Sequence, residues 1–277
     1  MPPPSTLVKP ITRLEGAAPA VAAEDAVAVE EPLEIRFGGR SVAVVMRTPG
    51  RDRELAAGFL VTEGIIRGRD DLLDLVRCRG ESGEPSPNVI DAVPASGVVL
   101  DEARLTRHLF TASSCGICGK ATLAAIRGIF PSLPPSAPAR RDVLAALPAR
   151  LRAAQAAFTA TGGLHACAVF DADGNLEGAQ EDVGRHNALD KVVGRALLEG
   201  RLPLAGRILL VSGRVSFELM QKALAAGAGC VAAISAPTTA AVEFAAESGQ
   251  TLVGFLRPAG GPGSPMRMNV YAGTVAG

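Results

Sequence analysis

The sequence predicts an α/β fold in which a smaller α+β unit precedes a larger domain. The first observation is an alternation of short apolar runs and amphipathic segments after residue 164, the pattern of strands linked by helices. The second is size, because 277 residues with 48% hydrophobic side chains can fill one large or two small cores. The third is the Pro-rich stretch PSLPPSAPAR, which interrupts regular structure between the two units.

The first half of the chain divides into three predicted segments. Residues 1–24 are rich in Pro and Ala and are expected to form a flexible arm. Residues 25–110 are the small α+β unit, with two strands around Gly38-Gly39, a helix in RDRELAAGFLVTEGII, and strands at NVIDAV and GVVL. Residues 111–139 are expected to hold a mobile Cys-x-x-Cys loop, a short helix (ATLAAIRGIF) and the Pro-rich linker.

Residues 140–277 are predicted to form the α/β domain. Its first helix, VLAALPARLRAAQAAF, is expected to break at Pro148. Strands are predicted at LHACAVF, NLEGAQED, RILLVSG, CVAAIS and TLVGFL, and helices at NALDKVVGRALLEG, FELMQKALAAG and TTAAVEFAAESG. Helical connections between strands imply a largely parallel sheet that is covered on both faces.

Composition excludes several classes of partner. Lys+Arg and Asp+Glu are both 28, so no global field favours nucleic acid or an anionic membrane. Aromatic residues are scarce, which argues against a stacking surface for single strands. The N-terminus lacks a signal-peptide pattern, no apolar run is long enough to span a bilayer, and the five cysteines are an odd number. A cytoplasmic location with reduced thiols is therefore expected.

Polar, turn-forming residues follow three successive predicted strands. Ligands of open α/β sheets bind beyond the carboxyl ends of the strands, and two of these ends lead into helix N-termini that attract anions. The arginines there have forked donors that suit phosphate oxygens. No standard nucleotide fingerprint is present, so the pattern predicts an anionic ligand without naming it. The residues concerned are Ser212, Arg214, Ser235, Thr238, Arg257 and Pro258.

The start of another predicted helix carries a second group of candidate ligand-binding residues. They precede an amphipathic helix and comprise Gly184, Arg185, His186, Asn187 and, within the helix, Lys191. The alternative is that Asp182 or Asn187 only caps the helix while Arg185 lies in solvent. His165 is expected to be a structural histidine, and Glu218 with Lys222 is expected to form a surface pair at i,i+4 spacing.

Cys115 and Cys118 admit three interpretations. A zinc site needs four ligands, of which this pair supplies two. A zinc deaminase also needs a Glu two positions after a His or Cys, and none of the three histidines and five cysteines of the chain has one. A thioredoxin-like pair follows a strand in a compact domain, whereas this pair lies in a Ser/Gly-rich loop. The remaining cysteines are isolated in apolar or strand-like segments that are typical of buried structural thiols: Cys78, Cys167 and Cys230.

A sulfur-carrying pair fits the loop best. The following helix start and Lys120 favour the thiolate, which is the nucleophile. A thiolate can accept a sulfur atom as a persulfide, and a neighbouring thiol can assist its release by exchange chemistry. The alternative is that Cys115 and Cys118 are two incidental loop cysteines.

Six sequence blocks, taken in order, resemble the FdhD-type formate dehydrogenase accessory sulfurtransferases. They are SSCGICGKATL, TGGLHACAVF, EDVGRHNALDKVVG, LLVSGRVSFELMQKAL, SAPTTAAVEFAAESGQTLVGF and NVY. The resemblance implies a sulfurtransferase that takes sulfur from a cysteine desulfurase and passes it to the molybdenum cofactor, as bis(molybdopterin guanine dinucleotide). The recipient of that cofactor would be the catalytic subunit of formate dehydrogenase.

The resemblance also assigns residues and a fold. It implies that Cys115 bears the persulfide with Cys118 as its partner, and that Phe255, Leu256, Arg257 and Pro258 contact the cofactor. The insertion AGGPGSPM follows Pro258, with Arg267 as the second basic residue of that segment. The larger domain would be a three-layer, cytidine deaminase-like domain without a catalytic metal, and the protein a homodimer. The alternatives are a non-enzymatic chaperone for the same cofactor and a zinc-dependent hydrolase of deaminase type.

Overall fold

The computed structural model describes residues 5–79, 84–98, 130–260 and 263–277. Its helices are α1 (Asp52–Thr62), α2 (Arg141–Ala153), α3 (Ala156–Thr161), α4 (Arg185–Leu198), α5 (Phe217–Ala225) and α6 (Thr239–Ser248). The strands of the first half are β1 (Thr6–Arg13), β2 (Val21–Ala28), β3 (Glu31–Phe37), β4 (Arg40–Arg47), β5 (Leu72–Arg79) and β6 (Pro85–Pro94). Those of the second half are β7 (Ala139–Arg140), β8 (His165–Phe170), β9 (Leu176–Asp182), β10 (Ile208–Val211), β11 (Cys230–Ala233), β12 (Thr251–Pro258), β13 (Met266–Ala272) and β14 (Val275–Ala276). None of the helices in these ranges is long and apolar enough to cross a membrane.

The central sheet has the order β13-β12-β11-β10-β8-β9. The β10/β11 and β11/β12 pairs are parallel and are connected by α5 and α6. The other three pairs are antiparallel, so the prediction of a largely parallel sheet is wrong. The β8–β9 connection shows one reason: it is a tight turn in which Asp171 accepts hydrogen bonds from the backbone of Asp173 and Asn175, and such short connections join antiparallel neighbours.

Helices cover both faces of this sheet, which confirms the predicted α/β layering. Along β10, Leu209 and Val211 pack in the same apolar cluster as α4, α5 and α6. Ile208 and Leu210 point the other way, into a cluster built on α2. The alternation follows from the two-residue period of a strand.

The first half of the chain packs directly against α4. A second sheet, of order β4-β3-β6-β5, buries Leu33, Ile35 and Ile90 in the same cluster as α1 and α4. Helices α1 and α4 cross at two glycines, since a Cβ on Gly58 or Gly194 would lie 1.8 Å from a backbone oxygen of the other helix. The small unit and the α/β domain therefore share one apolar core.

Two predictions about local structure are wrong. Within the supposed arm at 1–24, residues 6–13 and 21–24 are strand, because β1 pairs with β2 over their full length. Helix α2 continues through Pro148 without a break. Leu144, Leu147 and Leu151 are buried on both sides of that proline, so tertiary packing holds the helix against the local cost of proline. All but the last residue of the helix predicted at ATLAAIRGIF, and the last two residues of GVVL, lie outside the described residues.

Candidate functional site

The polar strand ends predicted from the sequence meet at one edge of the central sheet. Strands β10, β11 and β12 are parallel, so their carboxyl ends share this edge. Antiparallel pairing adds the start of β8 and the start of β13, because His165 pairs with Asp182 and Arg257 pairs with Arg267. We call this edge the rim and define it by His165, Asp182 to Asn187, Ser212 to Arg214, Ser235 to Thr238, Phe255 to Arg257, and Arg267.

Asp182 organises the start of α4. Its Oδ1 accepts hydrogen bonds from the Gly184 amide at 2.8 Å and from Asn187 Nδ2 at 2.9 Å, while its Oδ2 lies 2.7 Å from Lys191 Nζ. Gly184, not Asn187, occupies the N-cap position, and Asn187 also donates to the Met46 carbonyl at 2.7 Å. Lys191 is only 2% exposed, so Lys191 and Asn187 serve the internal structure of the rim and are not open to a ligand.

Arg185 is the rim cation with the most unusual environment. Its Nε is buried and has no hydrogen-bond partner among the described residues. The side chain lies beside Gly213, where a Cβ would be 3.8 Å from Arg185 Cδ and 3.2 Å from His165 Nδ1. Burial, followed by the charge of Arg185, lowers the pKa of His165. A guanidinium with an unused buried donor is suited to an anionic group placed at this point.

His186 is held in its neutral form. Burial, and after it the charges of Lys222 and Arg185, lowers the pKa of His186 to about 3. The ring Nε2 lies 3.1 Å from Glu218 Oε2 and 3.3 Å from Ser216 Oγ. Because a carboxylate can only accept, Nε2 carries the proton and donates to Glu218, which leaves Nδ1 as an acceptor.

Lys222 does not form the predicted surface pair with Glu218. Its ammonium is buried and lies 2.9 Å from Asp190, 2.7 Å from Glu63 and 2.9 Å from the Thr62 hydroxyl. Burial alone would lower the pKa of Lys222, but the carboxylates outweigh burial and raise it. Burial raises the pKa of Asp190 to about 6 despite the neighbouring ammonium. Glu218 and Lys222 do lie four residues apart on α5. The ammonium of Lys222, however, contacts Asp190 of α4 and, at the end of α1, Thr62 and Glu63.

Phe255 forms the centre of the basic end of the rim. It has φ +52°, an uncommon conformation for a residue other than glycine. The guanidinium carbons of Arg257 and Arg267 lie 5.1 Å and 5.0 Å from the centre of its ring. Arg257 and Pro258 are exposed, but Leu256 is fully buried in the core beneath α2, so its predicted contact with a ligand is not available.

The hydroxyl residues of the rim have mostly structural contacts. Ser212 Oγ accepts a hydrogen bond from the Ala166 amide at 2.9 Å. Thr238 caps α6 by accepting from the Ala241 amide at 3.3 Å. The Ser235 carbonyl accepts from the amide of Phe255 at 3.0 Å, which links the ends of β11 and β12. Of these candidates, the half-buried Ser235 side chain and the exposed Arg214 remain available to a ligand.

The cysteines divide between described and undescribed parts of the chain. Cys115 and Cys118 lie outside the described residues. Cys167 and Cys230 are buried, and burial raises the pKa of both thiols, to about 12 for Cys230. Cys78 is half-buried. Within the four described ranges, no group of three or more His, Cys, Asp or Glu side chains is arranged to hold a metal ion.

Sequence reasoning missed Thr48, which contacts the start of α4. Its amide donates to Asp182 Oδ2 at 3.2 Å, and its hydroxyl accepts from the Val183 amide at 3.2 Å. It also missed Asp190 and Glu63. For Asp190 a signal existed, because a carboxylate four residues after His186 interrupts an otherwise apolar helix face.

The fold and the rim define an α/β protein in which arginines, a neutral histidine and helix N-termini lie together at the carboxyl edge of the central sheet. The FdhD/NarQ family model matches residues 28–276, and the chain belongs to this family.

Relatives agree with that assignment, and a solved structure has the same fold. A Streptomyces avermitilis protein is 54% identical over 254 residues, covering 90% of this chain and 88% of that protein. A Mycobacterium tuberculosis protein is 49% identical over 240 residues, covering 84% and 87%. Both are named sulfur carrier protein FdhD. A crystal structure from Desulfotalea psychrophila, assigned as a formate dehydrogenase accessory protein, matches with a TM-score of 0.73 at 22% identity over 98% of each chain. This last likeness shows the fold.

Proposed function

We propose that the protein is a sulfur carrier that acts as a sulfurtransferase. Sulfur would pass from a cysteine desulfurase to the molybdenum cofactor, in its bis(molybdopterin guanine dinucleotide) form, which then serves the catalytic subunit of formate dehydrogenase. The sulfur carrier role is supported by the names of relatives that are about half identical to this chain over most of its length. The homodimer and the cytoplasmic location stay predictions from the sequence.

The observation that carries the proposal is the basic end of the rim. The guanidinium carbons of Arg257 and Arg267 lie about 5 Å from the centre of an aromatic ring, and Arg185, at the other end of the same edge, has a buried Nε donor with no partner in the described part of the chain. The proposed cofactor has two pyrophosphates and two guanines. Arginine forks suit the phosphate oxygens, and a guanidinium plane can also stack on a purine.

The proposed sulfur-bearing residue is Cys115. Its thiolate would attack the outer sulfur of the desulfurase persulfide, forming a new S–S bond, while the electron pair of the broken S–S bond leaves with the desulfurase thiolate. Cys118 either carries the sulfur in turn or assists its release. The buried thiols of Cys167 and Cys230 have raised pKa values, which makes them poor nucleophiles for this step.

The chain is long enough to bring Cys118 to the rim. Leu133 and Ser132 hydrogen-bond to the carboxyl end of α6, at Ser248 and Glu247. Helix α6 begins at the rim and has 10 residues, so this anchor is about 15 Å from the rim along the helix. About a dozen residues separate Cys118 from the first described residue after it, and even with the predicted helix at ATLAAIRGIF such a segment has a length of about 25 Å.

Mass spectrometry after incubation with a cysteine desulfurase and cysteine tests the carrier step. We expect an added sulfur atom on Cys115 or Cys118, and its loss in Cys115→Ala. The matched control is Cys78→Ser, which should still take up sulfur. If both loop cysteines stay unmodified in protein that supports formate dehydrogenase, the carrier mechanism is wrong. Delivery of cofactor that survives in Cys115→Ala would favour the chaperone instead.

Calorimetric titration with guanosine 5′-diphosphate tests the rim separately. We expect binding that weakens about tenfold in Arg257→Ala and in Arg267→Ala, because each substitution removes a charge-assisted hydrogen bond. Arg53→Ala is the control, since that arginine pairs with Asp74 on the exposed surface of the first half of the chain. Unchanged binding in both rim variants would place the nucleotide elsewhere.

A further inference from the structure

Thr48 makes an unusual set of contacts for a residue outside the α/β domain. It follows β4 and is 2% exposed; its amide and hydroxyl bond to the segment just before α4, and its carbonyl bonds to Lys191 within that helix. The amide donates to Asp182 Oδ2 at 3.2 Å, and the carbonyl accepts from Lys191 Nζ at 2.8 Å. The hydroxyl accepts from the Val183 amide at 3.2 Å. All three contacts link segments more than a hundred residues apart in the sequence.

These contacts fix the backbone from which Arg185 departs. Val183 and Gly184 are the two residues between Asp182 and Arg185, and Asp182 holds the Gly184 amide at 2.8 Å. Arg185 Nε has no partner of its own among the described side chains and backbone groups. The backbone of Val183 and Gly184 therefore fixes the point from which the Arg185 side chain starts, and this side chain lies beside Gly213.

We propose that Thr48 is a positioning residue that aims Arg185 at an anionic group of the ligand, through the Val183–Gly184 backbone. The inference rests on the anion-binding role proposed for the rim. It means that the first half of the chain completes the ligand site, although every predicted cofactor contact lies in the α/β domain. Thr48 itself is buried beneath the rim and does not touch the ligand.

Three variants of the full chain separate this role from a general effect on stability. Thr48→Val keeps the shape of the side chain but leaves the Val183 amide without its acceptor. Thr48→Ser keeps the hydroxyl and is the conservative rescue. Thr62→Val is the matched control, because it removes another buried hydroxyl, one that bonds to Asp190 and Lys222 and not to the backbone before Arg185.

Affinity for pyrophosphate and for guanosine 5′-diphosphate is measured by calorimetry at constant ionic strength. We expect Thr48→Val to weaken binding about tenfold, and Thr48→Ser and Thr62→Val to stay within about twofold. In an Arg185→Gln background, Thr48→Val should cause no further loss, because its effect passes through Arg185. Additive losses in that double variant would overturn the proposal, and so would an equal loss in Thr62→Val.

Amide hydrogen exchange provides a readout that needs no ligand. The Val183 amide should exchange at least about tenfold faster in Thr48→Val than in the parent protein or in Thr62→Val. Unchanged exchange would overturn the positioning role even if both probes bind. If the parent protein binds neither probe while exchange changes as expected, the positioning of the backbone stands and the anion site of the proposed function fails.

Discussion

The first turn of α4 and the middle of the same helix are built on opposite principles. In the middle, Gly194 faces the backbone of α1 so closely that not even a methyl group fits. One turn earlier, Asp190 and Glu63 both contact the buried ammonium of Lys222. At the first turn, by contrast, Arg185 retains a buried donor without a partner among the described residues.

This difference shows how the fold supports a site with unused polar groups. An unpaired buried donor costs stability, and a protein can carry it only where surrounding contacts fix the local structure. Thr48 and Asp182 supply those contacts just before the first turn, and the tight crossing of α1 and α4 holds the rest of the helix. The following predictions test whether the middle of α4 contributes to the stability of the fold while the start of α4 binds the ligand.

The largest effect is expected for Gly194→Ala. A Cβ at this position would lie 1.8 Å from the Glu54 carbonyl oxygen and 2.6 Å from the Gly58 amide nitrogen, so the two helices must separate. We expect the free energy of unfolding to fall by at least about 3 kcal/mol, measured by urea denaturation. Gly68→Ala is the control, because a Cβ there meets no atom within 4 Å. A loss of less than about 1 kcal/mol in Gly194→Ala would mean that the crossing is not the main support.

A smaller loss is expected for Lys222→Met. The substitution leaves the carboxylates of Asp190 and Glu63 without the ammonium that lies 2.9 Å and 2.7 Å away. Breaking a buried pair costs about 3 to 5 kcal/mol, but Asp190 can take up a proton, so we expect about 2 to 3 kcal/mol by denaturation at pH 7.

The double variant Lys222→Met/Asp190→Asn should be more stable than the single variant, because the fully buried carboxylate that lost its ammonium is gone. Equal stability of the single and the double variant would show that the Asp190 carboxylate bears little of the cost.

Asp190 also predicts a dependence on pH. Burial raises the pKa of the Asp190 carboxyl in the folded protein from 3.8 to about 6. Between these two values the folded protein holds a proton that the unfolded chain has lost. The resulting stabilisation is complete below about pH 3.8 and is lost as pH rises through 6. Compared with Asp190→Asn, the parent protein should lose on the order of 2 kcal/mol of unfolding free energy between pH 4 and pH 7. Parallel curves for the two proteins would show that the carboxyl titrates normally.

The same contrast explains what the sequence could predict. The strands β10 to β12 are apolar runs ended by polar residues, so the rim with Arg214 and Arg257 follows from local pattern and the rule for parallel strands. The antiparallel pairs at both ends of the sheet were not predicted, because the sequence of an apolar strand does not indicate whether it pairs parallel or antiparallel to its neighbour.

The assignments that failed depend on partners distant in the sequence. Lys222 finds its hydroxyl partner 160 residues away in Thr62, and Asn187 finds the Met46 carbonyl 141 residues away. No local spacing reveals such contacts. Lys191 looked like a cation for a ligand for the same reason, since its charge is visible in the sequence while its burial against Asp182 is not.

The smallest effect on stability is expected for Arg185→Gln, although this substitution should weaken ligand binding strongly. Arg185→Gln removes a guanidinium whose buried Nε has no partner in the described structure and therefore costs stability, so we expect the free energy of unfolding not to fall and to rise by no more than about 1 kcal/mol. Guanosine 5′-diphosphate binding should weaken about tenfold, because a charged donor to a phosphate oxygen is lost.

Arg195→Gln, on the same helix, is the control. It breaks an exposed pair with Glu199 and should change neither stability nor binding appreciably. If Arg185→Gln instead destabilises the protein by more than about 1 kcal/mol, the guanidinium is part of the structural support. The division of α4 into a stabilising middle and a binding start would then be wrong, because the unused donor would have a structural role in the folded protein itself.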